Sequence, residues 1–391
     1  MKISLCMIVK NEEKYIRMCL ENALKLADEA IIVDTGSTDK TIEIIKEFGD
    51  KVKIIRHKWN NDFSEARNIS LENATGDWIL MLDADEKLLC DPKLVRDELE
   101  SSVLEGFEIP LYNIINLNTI LYSAVYCKIF KNKGYRYVGA IHEQINIEDI
   151  VNHVKELDSN ICKVIHYGYL ESNVAEKDKI SRNLEILFKE KEKKPKDPFV
   201  YYNIGCCYEM KGEYKKALKY FFKCNELTYS ISKFGLSEFE IDMAKRMTEC
   251  YYNLEEYKIC IEFINDMIKD NAFKNFVDMY YMLGNCYFRV QEYDKAIENL
   301  NKCLDIGETK EFISVNGRGS YAPKLIMARI YIAKGEKIEA INKYMECAFD
   351  SNNIIGEGIN EFRAFLVQNN FVDILNEFNK IIEKKGMKVI G

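Results

Sequence analysis

Short apolar runs alternate with amphipathic stretches through the first eighty residues. Ile3 to Val9 reads as a buried strand and Glu12 to Leu26 as a helix; Ala30 to Val33 is a second strand, with a helix starting near Lys40. Val52 to Ile55, Asp62 to Ala74 and Trp78 to Leu82 continue the series as strand, helix and strand. Strict alternation of this kind predicts an α/β domain built on a mainly parallel sheet with helices on both faces. In such sheets ligands bind beyond the carboxyl ends of the strands. The polar motifs fall there: Lys10-Asn11-Glu12 after the first strand, Asp34-Thr35-Gly36-Ser37 after the second, Asp83-Ala84-Asp85 after the fourth. From about Leu111 to Ile165 the pattern turns β-rich and irregular, with candidate strands at 108–115, 121–130 and 161–165. A charged helical stretch, Glu171 to Lys193, then serves as a connector, punctuated by Pro195 and Pro198.

The second half repeats. Ile204-Gly205-x-x-Tyr208 leads to Tyr214-x-x-Ala217-x-x-x-Phe221, and Leu283-Gly284-x-x-Tyr287 leads to Tyr293-x-x-Ala296-x-x-x-Leu300. Weaker copies run through Thr248, Tyr251, Tyr257, Cys260 and Ile264, then Ala328, Tyr331, Ala340 and Tyr344. In every copy the small residue of the second helix lies twelve after the Gly-like position of the first. Small residues there let the two helices of a hairpin approach closely. The pattern resembles the tetratricopeptide repeat, whose usual period is about 34 residues. The spacings here are longer, 43, 36 and 44, which predicts extended helices or loops between copies. The domains expected are therefore 1–170 (α/β), 171–195 (connector) and 196–391 (all-α repeats).

Composition narrows the class without choosing a function. A chain of 391 residues has room for two cores. The net charge of −8 argues against a general nucleic-acid binder, which needs a basic field. Thirteen cysteines are scattered through apolar positions with no CxxC pair, and read as buried thiols of a reducing, cytoplasmic protein. The opening apolar run stops at Lys10, too short to span a bilayer and without the small-residue cleavage region of a signal peptide.

The sharpest local chemistry is Leu82-Asp83-Ala84-Asp85-Glu86. On an extended chain Asp83 and Asp85 point the same way, and two carboxylates beyond a buried strand suit a hard divalent ion, Mg²⁺ or Mn²⁺, carrying a diphosphate. A lone DxD is weak evidence, and a solvated acidic turn competes with it. Four ordered motifs are more specific. Ser4-Leu5-Cys6-Met7-Ile8-Val9-Lys10-Asn11-Glu12-Glu13, Val33-Asp34-Thr35-Gly36-Ser37-Thr38-Asp39-Lys40-Thr41, Asp62-Phe63-Ser64-Glu65-Ala66-Arg67-Asn68 and Gly76-Asp77-Trp78 leading to Asp83-Ala84-Asp85-Glu86 resemble the signatures of family-two glycosyltransferases of the GT-A fold, over roughly residues 1 to 170. With Gly139-Ala140-Ile141-His142-Glu143, His166-Tyr167-Gly168-Tyr169 and the appended repeats, the chain is most similar within that family to sublancin-type peptide S-glycosyltransferases. Sugar transferases of lipopolysaccharide cores share several of these motifs.

The resemblance implies roles by position. Val9, Asn11, Glu12 and Asp34 line the nucleoside pocket; Asp34-Thr35 stands where many members have two acids, which leaves the choice of nucleotide open. The same segment also reads as a turn and helix cap. Arg67 lies near the nucleotide or diphosphate, Asp85 binds the metal, Asp83 faces ribose or metal, and His166 is a late metal ligand or a core histidine. Asp62 caps its helix or joins the site; Glu86, His57 and Trp59 are minor candidates. His142-Glu143 is the catalytic pair, with Glu143 as base and His142 positioning the acceptor, touching the diphosphate, or acting as base toward a thiol. The expected reaction is a metal-dependent inverting transfer from a nucleotide-sugar donor, UDP-linked, to a peptide or protein side chain (Cys, Ser or Thr). A cell-surface glycan or lipopolysaccharide-type acceptor is the second reading, and a non-enzymatic repeat scaffold the third. The repeats serve a peptide acceptor or a homodimer.

Overall fold

The computed structural model describes residues 1–116, 119–148, 150–168, 173–229, 237–309, 314–353 and 356–384. Tyr169 and the first residues of the expected connector lie outside them. Two compact units divide the chain, Met1–Lys193 and Lys194–Gly391. The connector helix is grouped with the first unit.

In the first unit the elements run β1 (Ile3–Val9), α1 (Ile16–Ala23), β2 (Glu29–Asp34), α2 (Thr41–Lys46), β3 (Val52–Arg56), α3 (Phe63–Asn73), β4 (Trp78–Met81), β5 (Glu86–Cys90), α4 (Pro92–Ser101), β6 (Gly106–Asn116), β7 (Thr119–Lys131), β8 (Tyr137–Val138), β9 (Gln144–Ile145), α5 (Ile150–His153), β10 (Val154–Glu156), β11 (Cys162–His166) and α6 (Asn173–Lys193). The main sheet has the order β3-β2-β1-β4-β7-β6-β11-β5, with β10 beside β6. The first four strands are parallel. The sheet then becomes mixed: β7 is antiparallel to β4 and β6, β11 is parallel to β6, and β5 is antiparallel to β11.

Alternation along β1 assigns the faces. Ile3, Leu5, Met7 and Val9 pack with Cys19 and Leu20 of α1 and Val95 and Leu99 of α4, whereas Cys6 packs with Leu71 of α3 and Phe130 of β7. Helices therefore cover both faces, as the pattern predicts. α1 starts four residues later than its periodicity suggests. Asn11 takes a left-handed φ of 57°, and residues 12–15 form a turn closed by Tyr15 N donating to Glu12 O at 3.1 Å. Pairing Val9 with Asp34 and Asp34 with Arg56 lines up the carboxyl ends of β1, β2 and β3 on one rim.

The second unit is a run of helical hairpins: α7 (Pro198–Met210) with α8 (Tyr214–Tyr229), α9 (Glu238–Asn253) with α10 (Tyr257–Met267), α11 (Val277–Arg289) with α12 (Tyr293–Ile306), α13 (Tyr321–Lys334) with α14 (Lys337–Ala348), and α15 (Ile359–Gln368) with α16 (Val372–Lys384). The Gly position works as its spacing implies. A Cβ on Gly284 would lie 2.6 Å from Leu300 Cγ, and one on Gly205 would enter the Phe221 ring. Each hairpin turn holds one left-handed residue, at Gly212, Glu255, Gln291, Gly335 and Asn370. Their spacings, 43, 36, 44 and 35, follow the repeat and extend it by one hairpin beyond the four copies visible in the sequence. The thirteen cysteines are free thiols, ten of them buried.

Candidate active site

The rim of β1 and β2 is stitched by its own polar groups. Asn11 Oδ1 accepts from Thr38 N at 2.7 Å, Glu12 N donates to Thr41 Oγ1 at 2.7 Å, and Thr35 N donates to Val9 O at 3.0 Å. Asp34 is buried and its Oδ1 accepts from Ser37 N at 2.9 Å. The turn role weighed for this segment is thus present, and it shapes the rim that the nucleoside reading assigns to Val9, Asn11, Glu12 and Asp34. Asp62 caps α3 by accepting from Glu65 N at 3.0 Å. His57 N donates to Asp34 O at 2.9 Å, and Trp59 packs edge-on to Phe63 with centroids 4.8 Å apart.

α3 delivers Arg67 to the centre of the rim. Its Nε donates to Glu143 Oε1 at 2.5 Å, its Nη2 donates to Asp83 Oδ1 at 2.9 Å, and its guanidinium lies 5.6 Å over the Tyr137 ring. Burial works against the charge on Arg67, but Asp83 and Glu143 more than restore it and hold its pKa well above the ordinary value. Burial likewise raises the Asp83 carboxyl, and Arg67 with Lys128 overcomes that and brings it to about 2. Glu143 lies in the loop of the β8–β9 hairpin, beside His142, which has a φ of 55° and an exposed side chain.

The two aspartates of the DxD segment diverge. The expectation that both point the same way assumed an extended chain, but residues 83–86 form a turn in which Glu86 N donates to Asp83 O at 3.1 Å. Asp83 consequently turns to Arg67, while Asp85 Oδ2 sits 3.2 Å from His166 Nε2. His166 Nδ1 faces Asn113 Oδ1 at 2.6 Å. Burial lowers the imidazole pKa, and Asp85 more than offsets this, so the net shift is upward. Beneath the turn, Lys128 Nζ donates to Glu86 Oε1 at 2.7 Å and Oε2 at 2.8 Å, and Glu86 Oε2 accepts from Asp83 N at 3.0 Å. Burial keeps Glu86 above the usual carboxylate range despite Lys128.

Asp85 and His166 fit a divalent ion. A carboxylate oxygen and an imidazole nitrogen 3.2 Å apart match neighbouring ligands of an octahedral ion, which stand roughly 3 Å apart when each bond is about 2.1 Å. Among the described residues no cluster of three or more His, Cys, Asp and Glu side chains is arranged around a metal. Two protein ligands would leave room for oxygens from a diphosphate or water, as hard ions in nucleotide sites commonly have.

Several residues at this site escape sequence reasoning. Lys128 lies in an irregular β-rich stretch with no motif around it. Tyr137 carries no charge pattern, and Gly168 was visible only as a member of His166-Tyr167-Gly168-Tyr169, without a role. Asn113 did leave a trace, as the polar member of the row Phe107, Ile109, Leu111, Asn113, all buried.

The strand ends of this sheet thus gather a DxD turn, an arginine bridge and a late histidine. Residues 4–102 match the Glycosyl transferase family 2 profile, and residues 200–230 and 277–309 match tetratricopeptide repeat profiles. The first unit therefore carries a family 2 glycosyltransferase domain, and the second carries tetratricopeptide repeats. A TPR repeat-containing protein of Synechococcus elongatus is 30% identical over 226 residues, 56% of this chain and 55% of the relative. The prophage-derived glycosyltransferase SunS of Bacillus subtilis is 34% identical over 198 residues, 49% of this chain and 45% of SunS, in keeping with the resemblance drawn from the motifs. The chain spans about half the length of these curated relatives. MamA from Desulfovibrio magneticus is a loose structural neighbour at TM-score 0.36 and 16% identity, covering 44% of this chain and 86% of MamA. No helix of the described residues is long and apolar enough to cross a membrane.

Proposed function

We propose that the chain is a metal-dependent inverting glycosyltransferase that moves a sugar from a UDP-linked donor to a Cys, Ser or Thr side chain of a peptide or protein. The observation that carries this reading is the Arg67 bridge, which ties Glu143 of the β8–β9 loop to Asp83 of the DxD turn. One arginine thereby holds the acceptor-side carboxylate in register with the donor-side one.

Asp85 and His166 would hold Mn²⁺ or Mg²⁺, which when bound supplies charge neutralisation for the departing diphosphate. The Asn11 and Asp34 rim receives the nucleoside. Arg67 adds positive charge beside the phosphates. Glu143 takes the proton as the acceptor sulfur or oxygen attacks the anomeric carbon, and the bond from that carbon to the diphosphate oxygen breaks. His142, exposed on the same loop, orients the acceptor or replaces Glu143 as base toward a thiol. The products are the inverted glycoside and the nucleoside diphosphate. The helical unit offers a polar groove of about 470 Å³, lined by Tyr214, Arg246, Asn253, Asn285 and the Arg318–Glu249 pair among others, and stacked hairpins of this kind suit peptide segments.

The test is turnover of UDP-sugars, with and without Mn²⁺, in the wild type and in Asp85→Asn and Glu143→Gln. Metal-dependent loss of donor that falls about a hundredfold or more in each folded variant is the expected result. Wild-type rates in both variants would end this assignment.

A further inference from the structure

The parallel register of β6 and β11 sets Asn113 beside His166, and β5 sets Glu86 on the other side of the same histidine. Asn113 is 2% exposed, and its Oδ1 lies 2.6 Å from His166 Nδ1. With the amide in this orientation its carbonyl oxygen accepts, which places a proton on Nδ1. In the neutral ring the lone pair is then at Nε2, and it faces Asp85 Oδ2 at 3.2 Å. A proton on Nε2 joins the pair when the ring is charged, and in the neutral ring a divalent cation can take the same place.

Two features make this an arrangement for a ligand and not only for the fold. Asn113 Nδ2 is buried with no hydrogen-bond partner among the described residues. A leucine of similar size would leave no stranded amide but would leave His166 Nδ1 without its acceptor, so the amide is kept for the histidine. Gly168 is the second feature. A Cβ there would lie 2.6 Å from His166 Nε2 and 2.7 Å from Asp85 Oδ2, closer than real Cβ atoms come to such neighbours. Any side chain at 168 enters the gap between those two atoms.

We propose that Asn113 and Gly168 are positioning residues of a divalent-cation half-site, Asn113 by fixing the tautomer and direction of the His166 ring, Gly168 by keeping the Asp85–His166 gap open. The proposal rests on the reading of Asp85 and His166 as metal ligands. It adds that the pair binds only because two residues with no ligand atom of their own hold it in shape. Partners of this kind commonly change metal affinity by about 10- to 100-fold when lost.

Mn²⁺ binding to the full chain in saturating UDP, followed by electron paramagnetic resonance of the free ion, tests this without reading activity. Asn113→Leu should bind about tenfold or more weakly while keeping the circular dichroism spectrum of the folded wild type. Asn113→Asp, which keeps an acceptor, should bind like the wild type, and Gly168→Ala should lose binding while staying folded. In the metal-free protein, ¹⁵N shifts of the His166 ring should report the Nδ1–H form in the wild type and Asn113→Asp, and a mixture in Asn113→Leu. Wild-type Mn²⁺ affinity in both Asn113→Leu and Gly168→Ala, with Asp85→Ala abolishing binding, overturns the positioning roles and leaves the metal site standing. Asp85→Ala binding as tightly as the wild type overturns the metal site and this inference with it.

Discussion

Arg67 in the sheet unit and Arg318 in the helical unit are built alike, and the difference that matters lies in their aspartates. Each guanidinium lies over a tyrosine ring, Tyr137 at 5.6 Å and Tyr281 at 5.1 Å, and each bridges two carboxylates brought from separate elements. Arg67 joins Asp83 and Glu143; Arg318 joins Asp278 and Glu249. The side chain of Asp83, however, is 40% exposed, whereas that of Asp278 is 0% exposed. Asp278 also accepts from Ser314 Oγ and Val315 N, so its oxygens are spent on the loop before α13. A carboxylate filled by its own chain holds the fold. One that keeps an open side beside a cation can exchange partners with a ligand, and that difference separates a clamp from a site.

The largest expected effect follows from breaking the open bridge. Arg67→Met should lower metal-dependent donor turnover by about 10²- to 10³-fold, because a charge placed for the developing diphosphate is gone. Stability should fall by about 1 to 3 kcal/mol, since water reaches Asp83 but Glu143 loses its cation in a largely buried place. Arg67→Lys should recover little, because one ammonium cannot reproduce two separately directed guanidinium bonds. Steady-state rates with urea melts of the same preparations check both halves. A stability loss that accounts for the whole rate loss would place Arg67 with the clamps.

Breaking the closed bridge should reverse the balance. Arg318→Met leaves Asp278 buried and short of its cation, a change that costs about 3 kcal/mol or more. The chain's two tryptophans, Trp59 and Trp78, both lie in the first unit. Urea melts followed by far-ultraviolet circular dichroism should therefore show the helical transition moving, while tryptophan fluorescence moves much less. Adding Asp278→Asn to Arg318→Met should return part of the loss by removing the unpaired charge. A fluorescence transition that shifts as far as the helical one would contradict a local clamp.

How far this was legible in the sequence follows the same line. The β1–β4 half was readable because each strand is an apolar run closed by a motif, and parallel pairing then aligns those motifs on one rim without further information. The repeats were readable because Gly205 and Gly284 must be small where Phe221 and Leu300 press on them. What stayed hidden depends on strands meeting out of order. β5 follows β4 in the chain but sits at the far end of the sheet, next to β11, and that placement brings His166 to Asp85, while Lys128 reaches Glu86 because β7 lies beside β4. The turn at 83–86 defeated the alternation argument for the same reason: the chain must leave β4 there. Arg67 was expected near the phosphates from its motif, but its grip on Glu143 required the β8–β9 hairpin, two strands of two residues each, too short to leave a periodic signal.

The smallest effect tests the rule on a third carboxylate. Glu29 accepts from Lys2 Nζ at 2.7 Å, Ser4 Oγ at 2.6 Å and Thr75 N at 2.8 Å, tying β1 and β2 to the turn before β4. Burial raises its pKa, but these partners overcome that and lower it from 4.5 to about 2. A pKa lower in the folded chain than in the unfolded one stabilises the fold above the unfolded value, and the contribution disappears as pH falls through the folded value. Glu29 should therefore contribute on the order of 2 kcal/mol near neutral pH, lost between about pH 5 and pH 2. Asp83 also sits at about 2, so the unit loses two contributions across the same window. In Glu29→Gln the fall in stability on acidification, read by tryptophan fluorescence, should become shallower without vanishing, while donor turnover at neutral pH per folded molecule stays at the wild-type level. An unchanged acid slope in Glu29→Gln would show that filling a carboxylate's oxygens is not enough to make it a clamp, and the distinction between Arg67 and Arg318 would then have to rest on burial alone.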